Sequence, residues 1–152
     1  LDLPCGDFGW LSHAKLDLDY IGADIVPEIV ERNQHQYGST TRRFIQLDLA
    51  ADPLPEADVV LCRDCLVHFS FATVFRAFAN LRRSGCTYLL ATTFPELRAN
   101  RDIADGDWWA QNLQAAPFNL PQPLHLIVEG CTEEGGAYAD KSLGLWRVCD
   151  LP

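Results

Sequence analysis

Leu1-Asp2-Leu3-Pro4-Cys5-Gly6-Asp7-Phe8-Gly9-Trp10 reads as the end of a buried strand that enters a tight loop and then a helix. Asp2 and Leu3 close the strand, Pro4 and Gly6 bend the chain with little bulk, and Gly9 permits close packing as the helix starts. An open loop of backbone N–H groups at the carboxyl end of a parallel strand is where doubly wound folds bind nucleotides. Glycine-containing turns after strands are common, so the loop alone decides little.

The acids spaced downstream of the loop decide more. Residues 18–25 form a second short strand ending in Asp24, where the acid of a dinucleotide fold reaches the ribose hydroxyls. A third strand, 43–49, carries Asp48 near its end, and a fourth, 57–64, ends in Arg63-Asp64. Consecutive strands with acids at one end outline a crevice.

As a set, Asp2-Leu3-Pro4-Cys5-Gly6-Asp7-Phe8-Gly9, Asp24, Asp48 and Cys62-Arg63-Asp64-Cys65-Leu66-Val67-His68 resemble the successive motifs of the class I S-adenosylmethionine-dependent methyltransferases. The resemblance spans nearly the whole chain. It departs at Pro4 and Phe8, where the family usually has glycines, and at the start, where the family has a helix and further residues before the first strand. It implies an α/β fold: a doubly wound, mostly parallel seven-stranded sheet, Rossmann-like, closed by a C-terminal antiparallel hairpin. With Leu1 already in a strand and no methionine in the chain, that fold is expected to be N-terminally truncated.

With 152 residues, 48% of them hydrophobic, the chain can bury one substantial core, so a single domain over 1–152 is expected. A net charge of −9 disfavours nucleic acid, whose phosphates are neutralised by Lys and Arg, and ranks small-molecule acceptors first. No run of about 18 apolar residues and no leader pattern occurs, so neither a membrane span nor a signal peptide is read, and a cytoplasmic protein is expected. The six cysteines fall mostly in or beside apolar strand patterns and read as reduced thiols acting as small hydrophobes.

Along the chain, a short first helix is expected over 8–14, presenting its N-terminus to the cofactor. A second runs over 26–37, with Pro27 in its first turn and Gly38 at its end. The clearest helix follows Ser70, a good N-cap, with Phe71, Val74, Phe75 and Phe78 on one face; Arg82-Arg83 suit its last turn and Gly85 its exit. Residues 86–94 form a fifth strand. Segment 95–123, with Trp108, Trp109, Phe118 and several prolines, is too long for a plain connection and is expected to be an ordered, substrate-side lid. Strands over 124–131 and 142–149, joined through Gly135-Gly136, are expected to pair antiparallel. A dinucleotide dehydrogenase would instead continue in parallel units.

The resemblance implies S-adenosylmethionine as cofactor, bound by the loop residues Asp2, Pro4, Cys5 and Gly6, by Asp24 with Ile25, by Asp48 with Leu49, and by Arg63. Asp24 would hold the ribose hydroxyls, or else cap the following helix. Asp48 would accept from the adenine amino group with Leu49 walling the ring, or else sit as a solvated loop acid. Asp2 would bind the methionine ammonium or accept N–H groups of its own loop. Methyl transfer requires alignment and removal of a proton from the acceptor. His68 is the candidate base because imidazole ordinarily titrates near neutrality, and Asp64 is the alternative; a buried, hydrogen-bonded structural histidine is the competing reading of His68. Cys62-x-x-Cys65 lacks the further ligands of a zinc site and stands at a strand end, away from the helix start a redox pair occupies, so no metal is expected.

The function expected is therefore methyl transfer to a hydroxyl or amine of a small molecule or sugar. The alternatives are a non-catalytic binding or regulatory module of the same fold and an NAD-dependent oxidoreductase. Trp108 and Trp109 suit stacking on a flat acceptor or anchoring of the lid.

Overall fold

The computed structural model describes residues 1–152. Six strands and two α-helices appear in the order β1 (Tyr20–Asp24), α1 (Pro27–Tyr37), β2 (Arg42–Gln46), β3 (Val59–Cys62), α2 (Phe71–Arg83), β4 (Tyr88–Thr93), β5 (His125–Val128) and β6 (Ser142–Arg147). The strands fall into a parallel pair, β1–β2, and a four-stranded group ordered β3-β4-β6-β5. β3 and β4 are parallel, while β6 runs antiparallel to both β4 and β5. The C-terminal antiparallel hairpin is as expected.

The sheet is not the seven-stranded one expected. Where its first strand should lie, only Asp2 is bridged, in parallel, to Gly22 on one side and Leu61 on the other. The bridge still ties the two groups together: Asp2 N–H donates to Ile21 O at 2.8 Å and Leu3 N–H to Leu61 O at 2.9 Å. The next residue is Pro4, which has no N–H to continue a regular ladder, and the bonding passes over it to Cys5, whose N–H donates to Ala23 O at 2.8 Å.

Period-two alternation assigns the helices to opposite faces. Tyr20 and Phe44 point to one face, where they bury Val30 of α1 together with Phe8. Ala23 and Ile45 point to the other, into a larger core with Val74, Ala77, Phe78 and Leu81 of α2 and Trp146 of β6. Gly22 is required on the α1 face, because a Cβ there would meet the Phe44 ring at 2.5 Å.

The first helix expected over 8–14 is replaced by a single 3-10 turn, Leu11–His13. Phe8 is the cause: its φ of 59° is left-handed and cannot start a right-handed helix. Its ring is buried in return, 5.1 Å from Tyr20, 5.1 Å from Tyr37 and 5.3 Å from Phe44, centroid to centroid. α2 forms as read, with Ser70 Oγ accepting from Thr73 N–H at 3.3 Å.

Residues 95–123 contain no helix or strand, yet they are anchored. Gly106 N–H donates to His68 O and Trp109 N–H to Val67 O, at 2.8 and 3.0 Å. Asp102 and Asp105 accept from Phe71 N–H and Ser70 N–H, satisfying donors at the start of α2. Phe118 is fully buried, and its ring meets those of Phe71, Phe75 and Phe78. The aromatic stripe of α2 therefore packs on this segment as well as on the sheet.

Candidate functional site

Asp24, Asp48 and Asp64 all lie at the carboxyl ends of the parallel strands or just beyond them, beside the 4–9 loop. A cleft of about 340 Å³ opens there, within the size range of small-molecule sites. Its floor is apolar, built from Leu3, Ile25, Leu47 and Leu49, and its rim carries Asp48, Asp64 and His68. Pro4 lines it too.

The other expected cofactor residues act from behind. Asp24 is buried, and its two oxygens accept from Gly6 N–H and Val26 N–H, each at 3.1 Å. It thus clamps the loop to the end of β1 and serves the entry of α1 as well. Gly6 has a φ of 52°, and a Cβ there would meet nothing within 4 Å, so open space lies above the loop. Cys5 points away from that space into the α1-side core, and burial pushes its thiol up to about 12.

Asp2 contacts neither an N–H of its own loop nor the cleft. Its Oδ2 accepts the Tyr20 hydroxyl at 2.6 Å, and burial raises the carboxyl to about 6 although the Tyr20 bond opposes the shift. Asp2 therefore organises the loop indirectly, through the tyrosine that packs on Phe8. Asp48 Oδ1 accepts from Ala50 N–H at 2.8 Å, while Asp52 Oδ2 accepts from Asp48 N–H, so that loop is internally tied.

Arg63 and Asp64 belong to a quartet of charges. Lys141 Nζ lies 2.7 Å from Asp64 Oδ2 and 3.9 Å from Glu129 Oε2; Arg63 lies 3.0 Å from Asp64 and 2.7 Å from Glu129. Asp64 is further fixed by its N–H donating to Thr92 Oγ1 at 2.8 Å. The guanidinium of Arg63 stacks over Trp10 and stays outside the main cleft. His68 is exposed, against the buried structural reading. Its Nδ1 lies 3.0 Å from Asp107 O, and because a carbonyl only accepts, Nδ1 is the donor of that bond, which in the neutral ring leaves the lone pair on Nε2.

A second cleft of about 260 Å³ adjoins the first, lined by Phe94, Trp108, Tyr138, Glu133 and Lys141. Asp64 and His68 line both clefts. Trp109 joins neither; its backbone anchors 95–123, and its ring lies under Arg101. Cys62, fully buried beside Cys65, has its thiol held well above the ordinary value by the hydrogen bond to Cys65 and by burial, which disfavours the thiolate that metal binding or disulfide exchange needs. No three His, Cys, Asp or Glu side chains gather as a metal site, and no helix is long and apolar enough to cross a membrane.

Several contributors escaped the sequence reading. Asn33, buried on α1, donates to Gly6 O at 2.7 Å; a polar residue one turn after Val30 on the helix's apolar face was the available signal. Glu129, Lys141 and Tyr138 come from the hairpin and its connection, where only the turn residues stood out.

The architecture defines an α/β class of fold with helices on both faces of the sheet, and comparison narrows it. A family profile described as "Methyltransferase domain" matches residues 1–89, more than half of the chain, which therefore belongs to that family. Among solved structures, the chain is similar to CalO1, a methyltransferase in calicheamicin biosynthesis in its SAH-bound form, with a TM-score of 0.64, 16% identity, and coverage of 95% of this chain and 46% of that one. It is similar to the methyltransferase domain of bacterial CtHen1-CN, with a TM-score of 0.62, 11% identity, and coverage of 96% and 88%. The [4+2]-cyclase SpnF is also similar, at a TM-score of 0.54 and 16% identity, covering 74% of this chain and 46% of that one. These identities show the fold alone. The chain spans about half the length of the first solved structures it matches. No curated protein matches it.

Proposed function

We propose that this chain binds S-adenosylmethionine in the larger cleft and catalyses methyl transfer to a small-molecule hydroxyl or amine in the smaller one. The observation that carries this reading is the sharing of Asp64 and His68 by both clefts, which makes these two residues the border between donor and acceptor.

The donor cleft suits the cofactor. Ile25 and Leu49 offer apolar walls for a planar ring, Asp48 offers a carboxylate oxygen, and Gly6 leaves room along the loop. Asp24 holds that loop from behind through Gly6 N–H, and in this reading it supports the ribose end of the cofactor. S-adenosylmethionine, when bound, supplies a methyl group already activated by its sulfonium. A pyrophosphate would want a full helix N-terminus after the loop, and the single turn Leu11–His13 offers no such dipole, which weighs against the NAD reading. Pro4 and Phe8, the departures that motivate a non-catalytic reading, are accommodated: Pro4 as cleft wall, Phe8 as core.

His68 Nε2 accepts the acceptor's proton, while Nδ1–H on Asp107 O fixes the ring. Asp64 is held in place by Arg63 at 3.0 Å and Lys141 at 2.7 Å, which suits it to orienting the acceptor. Residues 95–123, anchored to the 3-10 turn around His68, close the acceptor side as an ordered lid.

Calorimetric titration with S-adenosylmethionine, S-adenosylhomocysteine and NADH tests the donor site. Saturable binding of the adenosyl ligands, absent for NADH and weakened at least tenfold by Asp24→Ala, is expected. Binding of NADH in their place would overturn the assignment.

A further inference from the structure

The smaller cleft has a wall chemistry that narrows the acceptor beyond "hydroxyl or amine". Phe94, Trp108 and Tyr138 stand nearly perpendicular to one another. Trp108 and Tyr138 are 5.0 Å apart at 73°, Phe94 and Tyr138 5.9 Å at 76°, and Phe94 and Trp108 6.4 Å at 90°. Three mutually perpendicular rings make a corner, and ring faces attract cations through their quadrupole. Phe94 is buried and forms the base, whereas Trp108 is 41% exposed and forms the outer wall.

The charges around the corner point the same way. Lys141 and Arg63 do not make the cleft positive, since both are met by Asp64 and Glu129 within the quartet, two cations against two anions. What remains is Glu133 on the cleft wall and Glu134 beside it. Neither has a basic group within 4.0 Å, and both line a shallower hollow that shares Trp108 and Tyr138 with the cleft. Arg63 is near enough to feel Glu133, but its guanidinium is already committed. The lining is thus aromatic with a net negative charge, a poor match for an anion and a better one for an organic cation than for a neutral sugar.

We propose that the acceptor is a small organic amine or ammonium compound, its positive group held in the Phe94–Trp108–Tyr138 corner beside Glu133 and its reacting atom facing His68 and Asp64. This rests on the methyl-transfer reading for its last clause only; the cation corner stands on its own geometry.

The test uses choline and its uncharged isostere 3,3-dimethyl-1-butanol as probes. Each is titrated into the full chain with and without saturating S-adenosylhomocysteine and followed by calorimetry. Choline is expected to bind at least tenfold tighter than the isostere. Glu133→Gln should cut that preference severalfold, and Trp108→Leu and Tyr138→Leu should remove it, with folding checked by circular dichroism. These three side chains are exposed or half-buried, so folded variants are expected. Equal binding of the two probes, or binding of neither, overturns the cation site even if S-adenosylhomocysteine binds. A choline preference in a chain that fails to bind S-adenosylhomocysteine upholds the cation corner and counts against the donor-site reading instead.

Discussion

Lys141 Nζ lies 2.7 Å from Asp64 Oδ2, joining the start of the last strand to the end of β3 across 77 residues. Lys141 is the more buried partner, with 13% of its side chain exposed against 35% for Asp64. A pair so placed should be worth more than a surface ion pair, though screening on the Asp64 side limits it to about 1–2 kcal/mol. A double-mutant cycle with Lys141→Met and Asp64→Asn, followed by urea denaturation, should return a coupling of that size. Additive effects would mean that the quartet's other members hold the site without this bond.

His68 and Asp64 should separate kinetically. With any acceptor the wild-type chain methylates, His68→Gln is expected to lower kcat by about 10²–10⁴-fold, the usual contribution of a positioned general base, with S-adenosylhomocysteine affinity nearly unchanged. Asp64→Asn, which removes an orienting charge but no proton acceptor, should raise KM more than it lowers kcat. The reverse pattern would transfer the base role to Asp64.

The acids at the strand ends were legible because a charged residue closing a short apolar run marks where a strand leaves the core; Asp24, Asp48 and Asp64 all obey this. Ser70 and the Phe71–Phe78 stripe were legible for a similar local reason, the 3.6-residue period behind an N-cap. Features that depend on distant partners failed to show. Lys141 and Glu129 look like ordinary hairpin charges until β6 pairs with β4 and brings them over Arg63-Asp64. Phe8 reads as a helix residue from its neighbours, and only its burial among Tyr20, Tyr37 and Phe44 accounts for its left-handed backbone. Trp108 and Trp109 are equivalent in sequence, yet only the first faces a cleft.

Phe8 yields an unusual ordering of variants. Its φ of 59° costs a side-chain-bearing residue about 1–2 kcal/mol, and its buried ring, with Arg42 5.0 Å above it, returns more than that. Phe8→Gly should destabilise by about 2–3 kcal/mol, since it loses the ring but relieves the backbone. Phe8→Ala should be worse by about 1 kcal/mol, because it loses the ring and keeps the strain. Thermal unfolding of the two variants checks this; an alanine variant as stable as the glycine one would show that the loop relaxes to an ordinary conformation once the ring is gone.

Asp2 should make stability fall as pH rises over a defined window. Its carboxyl is raised from the ordinary 3.8 to about 6, chiefly by burial. Below about pH 4 both folded and unfolded chains hold the proton, and above about pH 6 both have released it. Between those limits the folded chain is protonated and the unfolded chain is not, so each step up in pH favours unfolding, by about 3 kcal/mol in all at most. Asp2→Asn removes the titration but keeps an oxygen to accept the Tyr20 hydroxyl, so other carboxylates contribute equally to both chains and cancel in the comparison. The stability of the variant relative to wild type, measured by denaturant titration, should therefore climb between about pH 4 and pH 6 and be level on either side. A difference that stays flat through the window would mean that Asp2 is ionised throughout, its charge carried by the Tyr20 hydrogen bond despite the burial.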